Sequence, residues 1–127
     1  MDTAAAARRW AETWERAWPQ FDAGAIAALY ADRHSYRAVA FREPTTAPAY
    51  LAEQFALESD VECRFGGPIV DGDRAAVEWW ASWVENGERL TLAGASVLRF
   101  DDEGRVVDHR DYTDHVERRE PPYEGWL

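Results

Sequence analysis

Two ionisable residues near the end of the chain, His109 and Asp111, have the types and spacing that acid–base chemistry needs. Alternate residues of a β-strand point to the same side of a sheet, so a strand through this region places the imidazole and the carboxylate side by side. A carboxylate beside apolar walls can act as a base or an acid near neutral pH, and the imidazole can share its proton or act alone. The structural alternatives are a satisfied hydrogen-bonded pair in a filled core, or an ion pair between Asp111 and an arginine.

Turn signals divide the second half of the chain into predicted strands that position these two residues. Asn86-Gly87 is a strong hairpin signal, because both central residues of a type I′ turn need positive φ. Val70–Asp73 and Asp101–Gly104 predict two further turns. Gly66-Gly67-Pro68 predicts a bulge or sharp bend. The predicted strands, all antiparallel neighbours, cover roughly residues 61–70, 74–85, 88–100 and 105–115.

The turn lengths predict which residues lie opposite one another in this sheet. The two-residue hairpin loop places Trp79 opposite Gly94. A four-residue loop in the last turn places Gly94 opposite Asp111 and Ser96 opposite His109. The two small residues leave room on the inner face, and the imidazole and carboxylate point into it. A gap lined by an aromatic ring and two polar groups is typical of a small-molecule pocket.

Other residues are expected to contact a substrate beside the catalytic candidates His109 and Asp111. The tyrosines and His34 can donate a hydrogen bond to a carbonyl or hydroxyl group, and the tryptophans shape the cavity. A surface position for His34 and pure core packing for the tryptophans are the alternatives. The predicted substrate-binding residues are Trp14, Tyr30, His34, Tyr36, Trp79, Trp83 and Ser96.

The first part of the chain predicts the helices that close this pocket. A helix capped by Thr3 runs to about Trp18, because apolar residues recur at helical spacing. Ala25–Tyr30 predicts a short second helix, and His34–Phe41 predicts a short strand. Thr46 caps a third helix over about residues 47–57. The apolar stripe of the first helix consists of Trp10, Trp14, Ala17 and Phe21.

Composition limits the kinds of partner and cofactor. The net charge of −10 over 127 residues argues against nucleic acid and against anionic membrane surfaces, since both attract basic proteins. The length predicts one domain, residues 1–127. The single cysteine, Cys63, excludes an internal disulfide. His34, His109 and His115 lack the spacing of metal ligands, so we expect no metal and no cofactor.

The sequence also predicts a location and a source. No stretch is long and apolar enough to span a membrane, and Met1–Ala4 lacks the basic start of a signal peptide, so we expect a cytoplasmic protein. All 14 basic residues are arginine, which is typical of a GC-rich bacterial genome.

The outer face of the predicted sheet carries an apolar patch that includes Trp80, Val97 and Tyr112. An exposed aromatic patch on a sheet usually marks an interface, so we expect a homodimer through this convex face. The tail segment Pro121–Trp126 is expected to be extended, with its aromatic residues pinned on the domain or on a partner.

Several short stretches, spread over nearly the whole chain, carry a family resemblance. They are Trp10…Trp14…Trp18, Asp22-Ala23-Gly24, Leu29–Asp32, Phe41–Pro44, Gly72–Trp79, Leu98–Asp101 and His109–Asp114. Together they resemble the nuclear-transport-factor-2-like (NTF2-like) superfamily, and its SnoaL-like group in particular. The last stretch is the most specific, because it is similar to the superfamily's last-strand pattern of aromatic, Arg, Asp, aromatic.

The resemblance implies an α+β cone, in which three N-terminal helices pack in a strongly bent mixed or antiparallel β-sheet around a pocket. In the epoxide-hydrolase branch, a last-strand Asp works with an Arg and a second Asp on a neighbouring strand. Asp111 matches the first, but Trp79 and Ala81 stand where the other two are expected. In the steroid-isomerase branch, a carboxylate base works with a tyrosine and a protonated acid. Asp111, Tyr30 and Tyr36 could imitate that set without matching it residue by residue.

Functions of different classes remain open, because this superfamily hosts isomerases, cyclases, epoxide hydrolases, dehydratases and binding domains. The first is a cofactor-independent acid–base enzyme acting on a small, largely apolar organic molecule through Asp111 and His109. The second is a ligand-binding or accessory domain without turnover. The third is an assembly module that acts through its outer sheet face and its tail.

Overall fold

Three helices pack on the inner face of a curved, six-stranded mixed sheet, as a computed structural model of all 127 residues shows. The elements are α1 (Thr3–Ala17), α2 (Ala23–Ala27), β1 (Tyr30–Arg37), α3 (Ala47–Phe55), β2 (Glu58–Phe65), β3 (Ile69–Asp71), β4 (Arg74–Glu85), β5 (Glu88–Phe100) and β6 (Val106–Val116). The strand order is β1-β6-β5-β4-β2, and β3 pairs with the same edge of β4 as β2 does. Only the β1–β6 pair is parallel. The predicted α+β class is confirmed.

Helix α1 begins one residue earlier than the predicted cap implies. The Asp2 carboxylate caps it by accepting a hydrogen bond from the Ala5 backbone N–H at 3.1 Å. Thr3 is therefore the first helical residue, and its hydroxyl donates to the Gly72 carbonyl at 2.7 Å instead. The predicted apolar stripe is buried except at Phe21, which lies beyond the helix and is partly exposed. No helix is long and apolar enough to pass through a lipid bilayer.

The second helix and the first strand are both displaced from their predicted positions. Helix α2 ends at Ala27, and Tyr30 begins β1 rather than ending the helix. Tyr30 pairs with Val106, so strand β1 is fixed by parallel pairing with a strand far along the chain. Local sequence patterns carry no signal for such pairing. The predicted cap of α3 is confirmed, because the Thr46 hydroxyl accepts from the Ala49 N–H at 3.3 Å.

The β4–β5 hairpin has the predicted register, with Trp79 opposite Gly94. Both turn residues, Asn86 and Gly87, have positive φ, at 54° and 76°. The hairpin prediction is confirmed, because the type I′ turn fixes the pairing of every residue along the two strands.

The predicted β5–β6 register was wrong by two residues. Ser96 lies opposite Asp111 rather than His109, and Gly94 lies opposite Thr113 rather than Asp111. The cause is an irregularity at the end of β5 and a longer turn, in which the Asp101 carboxylate accepts from two backbone N–H groups. A shift of two preserves the side of the sheet on which each residue lies, so the predicted inner face is kept.

The first predicted long strand is two strands. Gly66-Gly67-Pro68 separates β2 from β3, and both strands pair with β4. A backbone hydrogen bond of 2.8 Å from Gly66 N–H to the Glu78 carbonyl holds the bend against the sheet. Strand β2 starts at Glu58, three residues before the predicted boundary, which proves important for the site.

The C-terminal tail covers part of the outer sheet face. The Trp80 indole donates to the Glu120 carbonyl at 2.8 Å, the Trp126 indole donates to the Glu78 carboxylate at 2.7 Å, and the Arg119 guanidinium lies over the Trp80 ring. Trp80 is only 3% exposed, so its expected place in an open apolar patch was wrong. Of the two predicted positions for the tail, the structure has it on its own domain. Tyr112 remains about half exposed.

Gly94 provides a direct test of the sheet geometry. A Cβ atom on Gly94 would lie 2.1 Å from the Tyr112 carbonyl oxygen and 2.7 Å from Thr113 Cα, so the β6 backbone fills the room that we expected to be open. We predict that Gly94→Ala lowers the free energy of unfolding by roughly 3 kcal/mol, measured by urea denaturation. Gly67→Ala is the control, because nothing lies within 4 Å of its added Cβ, and we expect little change. Equal stability of the two variants would contradict the close approach of β6.

Candidate active site

A narrow, mainly aromatic cavity lies between the inner sheet face and helices α1 and α3. Its volume is about 40 Å³, which is room for a few water molecules or a very small ligand. Helix α3 supplies Tyr50, Gln54 and Phe55, and it packs only sparsely on the sheet. The aromatic lining consists of Trp10, Trp14, Trp18, Tyr36, Tyr50, Phe55, Phe65, Trp79 and Trp83.

Asp111, in β6, is the polar centre of this cavity. Its Oδ1 atom accepts two short hydrogen bonds of 2.6 Å, from Ser96 Oγ of β5 and from His109 Nε2. Its Oδ2 atom has no hydrogen-bond partner in the chain and is not enclosed completely. One carboxylate oxygen is therefore fixed by the protein while the other remains available to a ligand.

The proton positions around His109 follow from its neighbours. The Trp10 and Trp14 indoles donate to the Tyr30 hydroxyl oxygen at 3.1 and 3.4 Å, and indole N–H groups can only donate. The Tyr30 hydroxyl therefore donates a hydrogen bond to His109 Nδ1, 2.7 Å away. Because Nδ1 accepts, the proton of the neutral ring lies on Nε2 and points at Asp111.

A second chain of donors reaches Asp111 from β4. The Trp79 indole donates a hydrogen bond to Ser96 Oγ at 2.9 Å, and the Ser96 hydroxyl in turn donates one to Asp111 Oδ1. The carboxylate thus ends two ordered chains of hydrogen bonds, one through Ser96 and one through His109. These short hydrogen bonds hold the carboxylate in a fixed orientation.

Two stacked tyrosines form the wall beside His109. The Tyr36 ring stacks on the imidazole with centroids 4.0 Å apart, and Tyr50 stacks on Tyr36 at 4.6 Å. Burial raises the pKa of both phenols well above the ordinary value, and the negative charge of Asp111 raises both further. Both hydroxyls therefore remain protonated donors at neutral pH.

Glu58 is a polar cavity residue that the sequence did not reveal. It is 8% exposed, and its carboxylate accepts a hydrogen bond of 2.7 Å from the Trp18 indole. Burial raises its pKa from 4.5 to about 7, and the negative charge of Glu85 adds to the rise. The Trp18 hydrogen bond and the nearby Gln54 amide oppose the rise only in part. A carboxyl group with this pKa can hold or lose a proton near neutral pH.

An irregularity in β2 explains why Glu58 escaped sequence reasoning. Phe65 and Cys63 pack toward the core, so strict alternation would place Glu58 on the outer face. The pairing with β4 shifts between Ser59 and Glu62, and Asp60 has a positive φ of 50°. This extra residue returns Glu58 to the inner face. Strand β2 contains no glycine that would have indicated the bulge.

The structure brings most of the predicted site residues together. Two of them do not line the cavity. Tyr30 lies behind His109, and both ring nitrogens of His34 bond to backbone, with Nε2 accepting from the Ala47 N–H at 2.8 Å where α3 begins. No set of three His, Cys, Asp or Glu side chains is placed to hold a metal ion. The predicted residues that line the cavity are Trp14, Tyr36, Trp79, Trp83, Ser96, His109 and Asp111.

The raised pKa of Glu58 predicts a pH dependence of stability. The folded state binds this proton more tightly than the unfolded chain, so the stabilisation is complete below pH 4.5 and is lost as the pH rises through about 7. The expected loss is up to about 3 kcal/mol. In Glu58→Gln this part of the pH dependence should disappear, as measured by urea unfolding across this range. Asp102→Asn, at an exposed turn, should retain it. An unchanged pH dependence in Glu58→Gln would contradict the assignment.

Comparisons with solved structures identify the fold. An LEH-like epoxide hydrolase from M. tuberculosis superposes with a TM-score of 0.72 at 22% identity, covering 89% of this chain and 86% of that chain. The epoxide hydrolase/cyclase-like enzyme SalBIII, which has a role in pyran ring formation in the polyether salinomycin, gives a TM-score of 0.75 at 17% identity, with 89% and 93% covered. A hypothetical protein from Catenulispora acidiphila with a ketosteroid isomerase-like fold, in complex with trimethylamine, gives 0.69 at 20%, with 80% and 82% covered.

At these identities the similarity establishes the fold and not the activity. No curated protein matches the chain. The model of the SnoaL-like domain family matches residues 7–109, which confirms the resemblance seen in the sequence. Because this match spans most of the chain, the protein belongs to the SnoaL-like domain family.

Proposed function

We propose that the cavity binds a small, largely apolar organic molecule and that Asp111 accepts a proton from it without a cofactor. Isomerisation, cyclisation or dehydration would each use such a step. The observation that carries this proposal is the unequal use of the two carboxylate oxygens, with Oδ1 held by Ser96 and His109 and Oδ2 free of protein partners. A base needs this combination of fixed orientation and one available lone pair.

The neighbouring groups support proton transfer at Asp111. When Oδ2 takes a proton from a substrate C–H or O–H bond, negative charge develops on the substrate. The Tyr36 hydroxyl lines the same cavity and remains protonated, so it can donate to a substrate oxygen as charge builds there. His109 keeps its Nε2–H on Oδ1 and acts as a positioning residue that holds the carboxylate.

The structural neighbours are consistent with this class of chemistry and with a small ligand. The M. tuberculosis and SalBIII proteins are an epoxide hydrolase and an epoxide hydrolase/cyclase-like enzyme, and the Catenulispora acidiphila protein was solved with trimethylamine. No arginine lines this cavity, and Trp79 lies on the inner face of β4. We therefore do not propose water activation by an Asp–Arg–Asp triad.

Binding without turnover is the second candidate function. The small volume of the cavity favours it, because little room is left for a bound molecule to change shape during a reaction. In this case Asp111 and His109 orient the ligand and no bond changes.

The predicted homodimer also remains a proposal, and its outer-face contact would centre on Tyr112 and Val97, since the tail covers Trp80. The cytoplasmic location remains a prediction as well.

Hydrogen–deuterium exchange of a small ketone tests the proton-acceptor role. Cyclopentanone in D₂O exchanges its hydrogens next to the carbonyl only when a base removes them. We predict that the wild-type protein accelerates this exchange and that Asp111→Asn reduces the acceleration about 100-fold or more, as measured by proton NMR. The amide keeps an oxygen that can accept from Ser96 and His109, so the fold should be preserved.

Asp114→Asn is the matched control, because Asp114 lies on the same strand but is exposed on the outer face. It should leave the exchange rate unchanged. Equal exchange by the wild-type protein and Asp111→Asn would contradict the proposal. Saturable ketone binding without any exchange would favour the second candidate.

A further inference from the structure

Glu58 and Glu85 form a pair of carboxylates without a positive counterpart. They lie directly opposite each other in the β2–β4 pairing. Every ion pair in the structure involves other residues. Glu85 Oε1 accepts hydrogen bonds from Gln54 Nε2 at 2.9 Å and from the Trp83 indole at 3.2 Å, which satisfy this oxygen without neutralising the charge of the carboxylate. Glu58 is buried and Glu85 is half-buried. Two negative charges this close are unfavourable unless a cation compensates them or Glu58 takes up a proton.

One tryptophan ring lies against each of these carboxylates. The Trp18 indole N–H is bonded to Glu58 and the Trp83 indole N–H to Glu85, and the two rings lie 5.4 Å apart. Both rings line the cavity together with Tyr50 and Phe55. With their N–H groups engaged by carboxylates, these rings can offer a ligand only their carbon surfaces and π-electrons, which attract cations.

No positive side chain competes for this position. The cavity lining contains no arginine, the chain contains no lysine, and the net charge is −10. Asp111 adds a further carboxylate to the same cavity. His109 donates its Nε2–H to Asp111 and has its other nitrogen occupied by Tyr30. The combination of aromatic walls, uncompensated carboxylates and a volume of about 40 Å³ selects a small ligand that is both apolar and positively charged.

We infer that this cavity recognises a small organic ammonium ion, whose charged nitrogen lies beside Glu58 and against the cavity-facing surfaces of the Trp18 and Trp83 rings. The inference rests on the proposed function, because it names the substrate class of the same cavity. The alkyl groups would contact the aromatic walls, and a substrate of this class would extend from Glu58 toward the free oxygen of Asp111.

The affinity for such a cation should depend on pH through Glu58. Its pKa of about 7 means that the carboxylate is formed only as the pH rises through neutrality. A cation with permanent charge should therefore bind more tightly above this pH than below it. The positive charge of Arg42 acts on Tyr50, whose pKa it lowers, but Arg42 lies outside the cavity lining. The titratable groups around Glu58 are Glu85, Tyr36, Tyr50, Cys63 and Asp111.

Two probes of matched shape test the inference. Tetramethylammonium and tert-butanol have the same number of non-hydrogen atoms around a central atom and differ mainly in charge. Binding is measured by tryptophan fluorescence and by NMR titration of the full chain. We expect tetramethylammonium to bind the wild-type protein at least about tenfold more tightly than tert-butanol above neutral pH, with the preference falling as the pH is lowered.

Glu58→Gln is the discriminating variant. Its amide oxygen can still accept from Trp18, so the cavity wall should be preserved while the charge is lost, and the preference for tetramethylammonium should disappear. Asp102→Asn removes the same charge from an exposed turn and should keep the preference. Equal binding of the two probes, no binding of either, or a preference that survives Glu58→Gln would overturn the inference. None of these measurements requires proton transfer, so ketone exchange that depends on Asp111 can succeed or fail independently.

Discussion

The hydrogen bonds of the Tyr30 hydroxyl connect helix α1 to strand β6 and fix how the helix packs on the sheet. This hydroxyl accepts hydrogen bonds from Trp10 and Trp14 of α1 and donates to His109 of β6, which in turn donates to Asp111. Because an indole N–H can only donate, the Tyr30 oxygen must accept from both tryptophans. The Tyr30 hydroxyl then donates to His109 Nδ1, and His109 Nε2 donates to Asp111. A missing partner would leave a buried donor or acceptor unpaired, at a cost of about 1–3 kcal/mol. The Asp111 carboxylate is therefore oriented by the same hydrogen bonds that join helix α1 to the sheet.

Much of this arrangement was predictable because it follows from local rules. Asn86-Gly87 fixed the β4–β5 register, and strand alternation placed Ser96, His109 and Asp111 on one face. That assignment survived a wrong β5–β6 register, since an error of two residues does not move a side chain through the sheet. The helical spacing of Trp10 and Trp14 likewise identified the helix face that closes the cavity.

The features that sequence reasoning missed depend on irregular or long-range structure. The bulge near Asp60 turns Glu58 inward against strict alternation, and without it the second carboxylate of the cavity would be on the surface. The parallel pairing of β1 with β6 places Tyr30 next to His109, although 79 positions separate them in the chain. The tail covers Trp80, whose indole donates to the Glu120 backbone carbonyl. Every residue type has such a carbonyl, so the sequence does not indicate this contact.

The position of the proton on His109 is the most direct test of the account. Nitrogen-15 NMR of labelled histidine distinguishes a protonated ring nitrogen from an unprotonated one. We predict that, at neutral pH, Nε2 carries the proton and Nδ1 is unprotonated, since Tyr30 donates to Nδ1 and Asp111 accepts from Nε2. In Tyr30→Phe the Nδ1 signal should shift strongly as its hydrogen bond is lost. A proton on Nδ1 in the wild-type protein would contradict the ordered network and, with it, the orientation proposed for the Asp111 base.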